Sequence, residues 1–192
     1  MKNIKYTITF YSFWRIGTGL GSGSIDSVLM KDDDNLPIIP GKTLKGLIRD
    51  AYYECNLPNG KELFGHELPE KADKHKKSDL QEGKLYFGTA HLPDDEANYL
   101  KNNTELIKGL YRNITTTRLD QNKQNVDTAL VKSEVCIPLT LEAEITPVNE
   151  ETITDKNVEE LEKAFKMLKL MGEKRYRGLG RCIVKLDKNK QS

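Results

Sequence analysis

The sequence is poor in the features that mark membrane, fibrous and secreted disulfide-rich proteins. Its apolar stretches are all interrupted within a few residues, far short of the ~20 that a membrane-spanning helix needs. Its three cysteines are odd in number and far apart, which favours reduced thiols and a cytoplasmic location. Basic and acidic residues nearly balance, so that the net charge is only +1. We expect residues 1–192 to form a single domain with its own core and no membrane segment.

The apolar periodicity predicts the order of the secondary structure. Alternation of period two predicts four strands, at Lys5–Phe13, Lys84–Leu92, Cys136–Ile145 and Arg181–Leu186. Stripes with helical spacing predict two helices, one capped by Thr43 and one over 157–171 that starts with a capping box at Asn157. A polar insertion at 67–83 and a hairpin at 111–135 lie between these elements. This order predicts an α+β fold of ferredoxin-like type, an antiparallel sheet with two helices on one face.

Two glycine-containing motifs match nucleotide-binding sites only in part. Gly41-Lys42-Thr43 lacks the glycine that a P-loop carries five residues earlier, where this chain has Leu36. The G-x-G-x-G string at 17–23 is followed by no helix until Thr43, so no helix N-terminus would receive a pyrophosphate. The histidines and Cys55 have no compact zinc spacing, and the sequence leaves the identity of any metal unknown.

The charges are segregated along the chain. Residues 172–192 contain seven basic and two acidic side chains, a local charge of +5, whereas residues 149–162 contain six acidic and one basic, a local charge of −5. We expect the acidic window to be a solvated helix face. In the basic window arginines alternate with glycines and a tyrosine, a combination suited to phosphate contacts and base stacking. The predicted RNA contacts are Lys174, Arg175, Arg177, Gly178, Gly180 and Arg181, with a second strip of Lys42, Lys45 and Arg49 near a helix N-terminus.

Short segments spread over most of the chain carry a more specific signal. They are Ile16–Gly19, Gly23–Ser27, Leu36–Arg49, Leu63–Gly65, Gly83–Phe87, Arg112–Ile114, Thr117–Arg118 and Tyr176–Arg181. In this order they resemble the repeat-associated mysterious protein (RAMP) superfamily of CRISPR-associated proteins, and most closely the backbone subunits of type III effector complexes. The resemblance implies a modified ferredoxin-like or RNA-recognition-motif-like core, with a protruding thumb hairpin at 111–135 that includes Arg112 and Arg118.

The same resemblance implies a function. Such subunits stack along a guide CRISPR RNA together with other effector subunits, including copies of themselves, and the slicing subunits cut the complementary target RNA. The family's cleaving aspartate matches Asp26, and guide-backbone contacts on the first helix match Lys45 and Arg49. We expect a divalent metal, Mg²⁺ or Mn²⁺, to support this endoribonuclease activity, with no organic cofactor.

Two other functions within the same superfamily remain open from the sequence. The chain could hold guide RNA without cutting the target. It could also process guide RNA as an endoribonuclease, which would need a histidine or tyrosine acid–base pair near the glycine-rich loop. Tyr176 lies in that loop, but no histidine is close to it in the sequence.

Overall fold

The computed structural model describes residues 3–17, 29–65, 82–119, 125–149 and 153–187, with 117–119 and 125–131 described by their backbone alone.

The strands are β1 Ile4–Phe10, β2 Leu85–Phe87, β3 Tyr111–Leu119, β4 Asn125–Cys136, β5 Thr140–Pro147 and β6 Cys182–Leu186. The helices are α1 Gly41–Glu54, α2 Gly60–Phe64, α3 Asp94–Asn102, α4 Thr104–Ile107 and α5 Asp155–Met167. An antiparallel sheet has the order β2-β5-β1-β6, and β3 pairs with β4 as a separate hairpin. The order confirms the predicted α+β, ferredoxin-like class.

One face of the sheet carries the core. Along β1, Ile4, Tyr6, Ile8 and Phe10 are buried, while the alternate residues are more exposed, as a half-buried strand requires. The apolar stripes of α1 and α5 join the same core, and the Tyr6 ring stacks on Phe165 of α5 with 4.9 Å between centroids. The two helices predicted from periodicity are therefore the two that cover this sheet.

The helix starts differ from the predicted caps. Thr43 is not the N-cap, because α1 already begins at Gly41. Pro40 precedes the helix, and its ring holds φ at −58°, a value compatible with a helix start. The capping box of α5 is formed by Thr154 and Asn157, whose side chains each accept a hydrogen bond from the other's backbone N–H, at 3.3 and 3.0 Å. Asn157 is thus the third residue of the helix, and the helix starts earlier than predicted.

The segment between the second core strand and the hairpin contains two helices that the periodicity did not predict. No residue of α3 is buried, and only Ala97 and Leu100 pack partly against the core, so that the helix has a weak apolar stripe. The short α4 and a 3₁₀ turn at Lys108–Leu110 lead from it into β3. Among the described residues, every helix is too short or too polar to cross a membrane.

The acidic window at 149–162 is not wholly solvated, contrary to expectation. Glu160 of α5 is 3% exposed and accepts a hydrogen bond of 2.6 Å from the hydroxyl of Tyr52, a fully buried residue of α1. The same hydroxyl lies 2.7 Å from the carbonyl oxygen of Pro58. Burial, followed by the nearby Glu160 carboxyl, raises the pKa of Tyr52, which keeps its proton for this contact. The pair joins α1 to α5 across the core.

We expect Tyr52→Phe to lower the free energy of unfolding by about 1–2 kcal/mol, because a buried Glu160 oxygen loses its donor while the ring packing is kept. Urea unfolding followed by circular dichroism measures this change. Tyr53→Phe is the matched control, since Tyr53 is 43% exposed and adjacent on the same helix. Equal stability of the two variants would show that the Tyr52–Glu160 hydrogen bond contributes nothing.

Candidate nucleic-acid interface

The segment Gly172–Arg181, which we call the basic loop, is held by backbone hydrogen bonds to the chain that follows β1. The amide of Glu173 donates to the carbonyl of Arg15 at 3.0 Å, and the amide of Gly180 donates to the carbonyl of Phe13 at 2.8 Å. Between these two anchors, Arg175–Arg177 form a 3₁₀ turn. All three side chains of the turn are exposed, and Tyr176 is 92% exposed. The fold thus presents two arginines and an aromatic ring to solvent on a fixed backbone.

The two predicted glycine contacts have different environments. Gly178 has φ +84° and open space where a side chain would be, so that a ligand's backbone can approach it closely. Gly180 has φ +75° and is buried, and a Cβ there would lie 1.9 Å from the carbonyl oxygen of Met171. Because its amide already donates to Phe13, Gly180 serves the packing of the loop and is not free to bind a phosphate.

The basic loop lies between the hairpin and α1. Lys174 donates from Nζ to Thr116 Oγ1 at 3.2 Å and to Ser133 Oγ at 3.0 Å, one residue on each strand of the hairpin. On the other side, Arg175 and Tyr176 line a cavity together with Leu47, Asp50 and Glu54 of α1, which lie on a different face of the helix from the basic strip. Lys174 was predicted as an RNA contact, but its ammonium is engaged in joining the loop to the hairpin.

The predicted basic strip forms one face of α1. Lys42, Lys45, Gly46 and Arg49 recur with the i, i+3, i+4, i+7 spacing of a helix face. Lys42 is exposed, and nothing occupies the space beside Gly46, whereas Arg49 Nε lies 3.6 Å from Asp50 Oδ1. The first turn has no acidic residue, so the positive end of the helix dipole adds to the strip.

The hairpin carries the remaining predicted contacts. Arg112 is exposed, and its guanidinium donates to the carbonyls of Gly109 at 3.0 Å and Tyr111 at 2.7 Å, which holds it at the base of the hairpin. Arg118 lies in β3, and its side chain is outside the described residues. Asp26 and positions 67–81 of the predicted insertion also lie outside them. Within the described ranges, no three His, Cys, Asp or Glu side chains come together to hold a metal.

Arg15 is a residue of this region that sequence reasoning missed. Its side chain is fully buried, and its Nε lies 3.3 Å from Oε2 of Glu173, which is half exposed. No guanidinium nitrogen of Arg15 has a well-formed hydrogen bond within the described ranges. A buried charge is costly unless it is paired, so Glu173 at the start of the basic loop is the counter-charge that Arg15 depends on. No periodicity or motif signals this pair, because an arginine after a strand usually lies at the surface.

Two buried cysteines are poor nucleophiles. Burial raises the pKa of the Cys136 thiol, and that of the Cys182 thiol, to about 12. At neutral pH both thus remain protonated, and the thiolate is the reactive form.

The uncovered face of the sheet is unsuited to phosphate. A cavity of about 500 Å³ there is lined by the carboxylates of Asp94, Glu142, Glu144 and Asp187, with Lys5 as its one lysine or arginine among the described residues. Along β1 and β5 this face presents Lys5, threonines and glutamates, and Tyr86 of β2 and Lys185 of β6 lie on the same face. The basic loop, α1 and the hairpin therefore form the surface best suited to a nucleic acid.

The fold and this surface define a class: ferredoxin-like proteins with a hairpin inserted between the second and third strands of the sheet and a basic glycine-containing loop before the last. The family model of the RAMP superfamily matches residues 7–183. The chain belongs to the RAMP superfamily. A comparison with curated protein sequences gives no match.

Solved structures agree with this fold. The chain is similar to one in the cryo-EM structure of the type III-B Cmr-beta complex bound to cognate target RNA, with a TM-score of 0.64 and 20% identity over 97% of this chain and 60% of that one. It is also similar to a chain in the apo state of type III-B Cmr-beta, with a TM-score of 0.69 and 13% identity over 98% of both chains. It therefore spans less than two thirds of the first structure's chain. Identities this low show a shared fold.

Proposed function

We propose that the chain is a guide-RNA-binding subunit of a type III CRISPR effector complex. Its partners are a guide CRISPR RNA, complementary target RNA and other effector subunits, including copies of itself. The observation that carries this proposal is the basic loop, held on a RAMP fold between α1 and the hairpin with its arginines exposed. The resemblance in fold to chains of the Cmr-beta complex, one of them from a complex bound to target RNA, supports the same assignment.

The exposed groups of the surface suit the backbone of RNA. Arg175, Arg177 and Arg181 are exposed and can make forked contacts with phosphate oxygens. Tyr176 offers a ring on which any base can stack. Because neither kind of contact reads base identity, such a subunit holds guides of every sequence, as a protein that uses interchangeable guides must.

The double variant Arg175→Ala/Arg177→Ala tests RNA binding. We expect its affinity for single-stranded RNA of any sequence to fall roughly tenfold or more, and the slope of log affinity against log salt to decrease by about 1.4, since each lost phosphate contact contributes about 0.7. Fluorescence anisotropy over a range of salt concentrations measures both quantities. Lys156→Ala/Lys163→Ala on α5 removes the same charge from exposed positions and is the control. An unchanged slope, or a loss confined to one RNA sequence, would contradict the proposal.

We further propose that the subunit cuts the target RNA through Asp26. In this reaction a 2′-hydroxyl loses its proton and the oxygen attacks the adjacent phosphorus, while the 5′-oxygen leaves and takes up a proton. The products are a 2′,3′-cyclic phosphate and a 5′-hydroxyl. The carboxylate of Asp26 would act as the base or as a metal ligand. A divalent metal, when bound, supplies charge neutralisation at the phosphate, and with one carboxylate the phosphate oxygens and waters would complete its coordination.

Guide processing is less well supported than target cutting. A processing enzyme of this kind needs an acid–base pair beside the glycine-rich loop. Tyr176 lies in that loop. The one histidine among the described residues, His91, is elsewhere: it lines the acidic cavity of the sheet, and its Nδ1 lies 2.9 Å from the carbonyl oxygen of Leu92. The described part of the chain therefore does not assemble such a pair.

A further inference from the structure

The hairpin has a second face, opposite the one that contacts the basic loop, and this second face borders a cavity. Successive residues of a strand point to opposite faces, so Thr116 and Ser133, which contact Lys174, lie on one face, and Asn113 and its cross-strand partner Glu134 lie on the other. On this second face a cavity of about 540 Å³ lies between the base of the hairpin, the turn at 32–35 and α4. Its size is within the range of pockets that hold small ligands.

The walls of this cavity are fixed by contacts between its own residues. Lys31 Nζ lies 2.8 Å from Glu134 Oε1 and 3.8 Å from the centre of the Tyr111 ring. Glu134 Oε2 accepts a hydrogen bond of 3.3 Å from the amide of Leu29, and the Tyr111 hydroxyl donates to the carbonyl of Asn35. A pocket whose walls are already ordered loses little conformational entropy when a ligand enters.

The charges of the lining favour an anion. Its two carboxylates are both paired, Glu134 with Lys31 and Asp34 with Lys101 at 2.7 Å. Lys108 and Arg112 also line the cavity and are exposed, which leaves an excess of positive charge. The guanidinium of Arg112 uses one nitrogen for the carbonyls of Gly109 and Tyr111 and keeps further N–H groups for a phosphate. The cavity of similar size on the uncovered sheet face is lined instead mainly by carboxylates. Of the two, only the hairpin cavity suits a phosphate.

The rest of the lining suits a nucleobase. Ile107 is 8% exposed and offers an apolar surface, and the partly buried ring of Tyr111 forms another wall. Asn113 and Thr104 supply an amide and a hydroxyl, which can donate to and accept from the edge of a base. An apolar surface with a few polar groups, next to two cations, is the lining expected for a nucleotide.

We infer that this cavity receives a single nucleotide of the bound RNA, with the base against Ile107, Tyr111 and Asn113 and its phosphate at Lys108 and Arg112. The inference rests on the proposed RNA-binding function and adds to it a contact that depends on a base. The basic loop holds the strand by its phosphates and by stacking any base on Tyr176, whereas the hairpin cavity encloses one base. A strand of the same length and charge without bases should therefore lose the cavity contact and the stacking on Tyr176, and keep the phosphate contacts.

Filling the cavity tests the inference. Thr104→Trp adds bulk at an exposed residue that lines the cavity and removes no charge. The probes are a single-stranded 12-mer RNA and an abasic 12-mer with the same phosphates. We expect Thr104→Trp to weaken binding of the RNA by about 5- to 100-fold, the range for one base contact, to leave the abasic strand's affinity unchanged, and to leave the salt slope unchanged. Leu106→Trp, two residues on, exposed and outside the lining, is the matched control.

A second variant keeps the test decisive if the tryptophan disturbs folding. Asn113→Ala removes a polar group of the lining, and we expect it to weaken RNA binding while the abasic strand binds as before. If the wild-type chain binds RNA but Thr104→Trp and Asn113→Ala bind it equally well, the cavity holds no nucleotide and the proposed function is unaffected. If the wild-type chain binds neither strand, the proposed function itself fails.

Discussion

Replacing Asp26 by asparagine should abolish cutting of the target RNA in the assembled complex while guide binding remains unchanged. Asparagine keeps the size of the side chain but is neither a base nor an anionic metal ligand at neutral pH. General acid–base groups typically contribute 10²- to 10⁴-fold to a rate, so we expect the cleavage rate to fall by at least about 100-fold. A target RNA labelled at its 5′ end, followed over time on a denaturing gel, measures the rate and shows the positions of the cuts.

The matched control for this variant is Asp33→Asn, which makes the same chemical change at an exposed aspartate of the nearby polar turn. It should cut at the wild-type rate. Undiminished cutting by Asp26→Asn would identify the subunit as one that binds guide RNA without cleaving. An equal loss of guide binding and of cutting would indicate that Asp26 stabilises the local backbone. The two products, a 2′,3′-cyclic phosphate and a 5′-hydroxyl, are a second check, since attack by a water molecule would leave different ends.

The core elements could be predicted from the sequence because each has a strong period. β1 alternates apolar and polar residues without a break, and the stripe on α1 that includes Leu44, Ile48 and Tyr52 is buried as its spacing indicates. By contrast, α3 has no buried residue and only a weak apolar stripe, which leaves the acidic first turn at Asp94–Glu96 and Lys101 in the last turn as its helix signals. Hydrophobic periodicity arises because one face of an element is buried, so an element that buries few residues has only a weak period in its sequence.

Composition predicts a candidate site but not what each of its residues does. Arginines and glycines at 172–181 indicate a phosphate-binding loop, and the same composition predicts Lys174 and Gly180 as RNA contacts. The structure uses Lys174 to bind the hairpin and Gly180 to pack against Met171, because these contacts involve residues distant in the sequence. The burial of Arg15 is another such case. It results from packing in the fold, and no local pattern encodes it.

Glu173→Ala should lower the free energy of unfolding more than most single substitutions in this chain. It leaves the guanidinium of Arg15, which is fully buried, without the counter-charge that the described residues give it. Removing one partner of a wholly buried ion pair costs about 3–5 kcal/mol, and since Glu173 is 48% exposed we expect about 2–3 kcal/mol. For a chain of this size that corresponds to a fall in Tm of roughly 4–12 °C, measurable by circular dichroism. Glu173 is the second residue of the basic loop, so RNA affinity should fall as well.

Arg15→Met removes the buried charge instead of its partner and, together with Glu173→Ala, completes a double-mutant cycle. Methionine fills much of the same space without a charge, and replacing a buried ion by an apolar side chain is often neutral or stabilising. We therefore expect Arg15→Met to cost less than Glu173→Ala, and the double variant Arg15→Met/Glu173→Ala to be more stable than Glu173→Ala alone. The coupling energy from the four unfolding curves should be about 1–2 kcal/mol. Strictly additive costs would mean that the charge of Arg15 is balanced by something other than Glu173. The anchoring of the basic loop would then depend on its other contacts, among them the backbone hydrogen bonds to Phe13 and Arg15 and those of Lys174 to the hairpin.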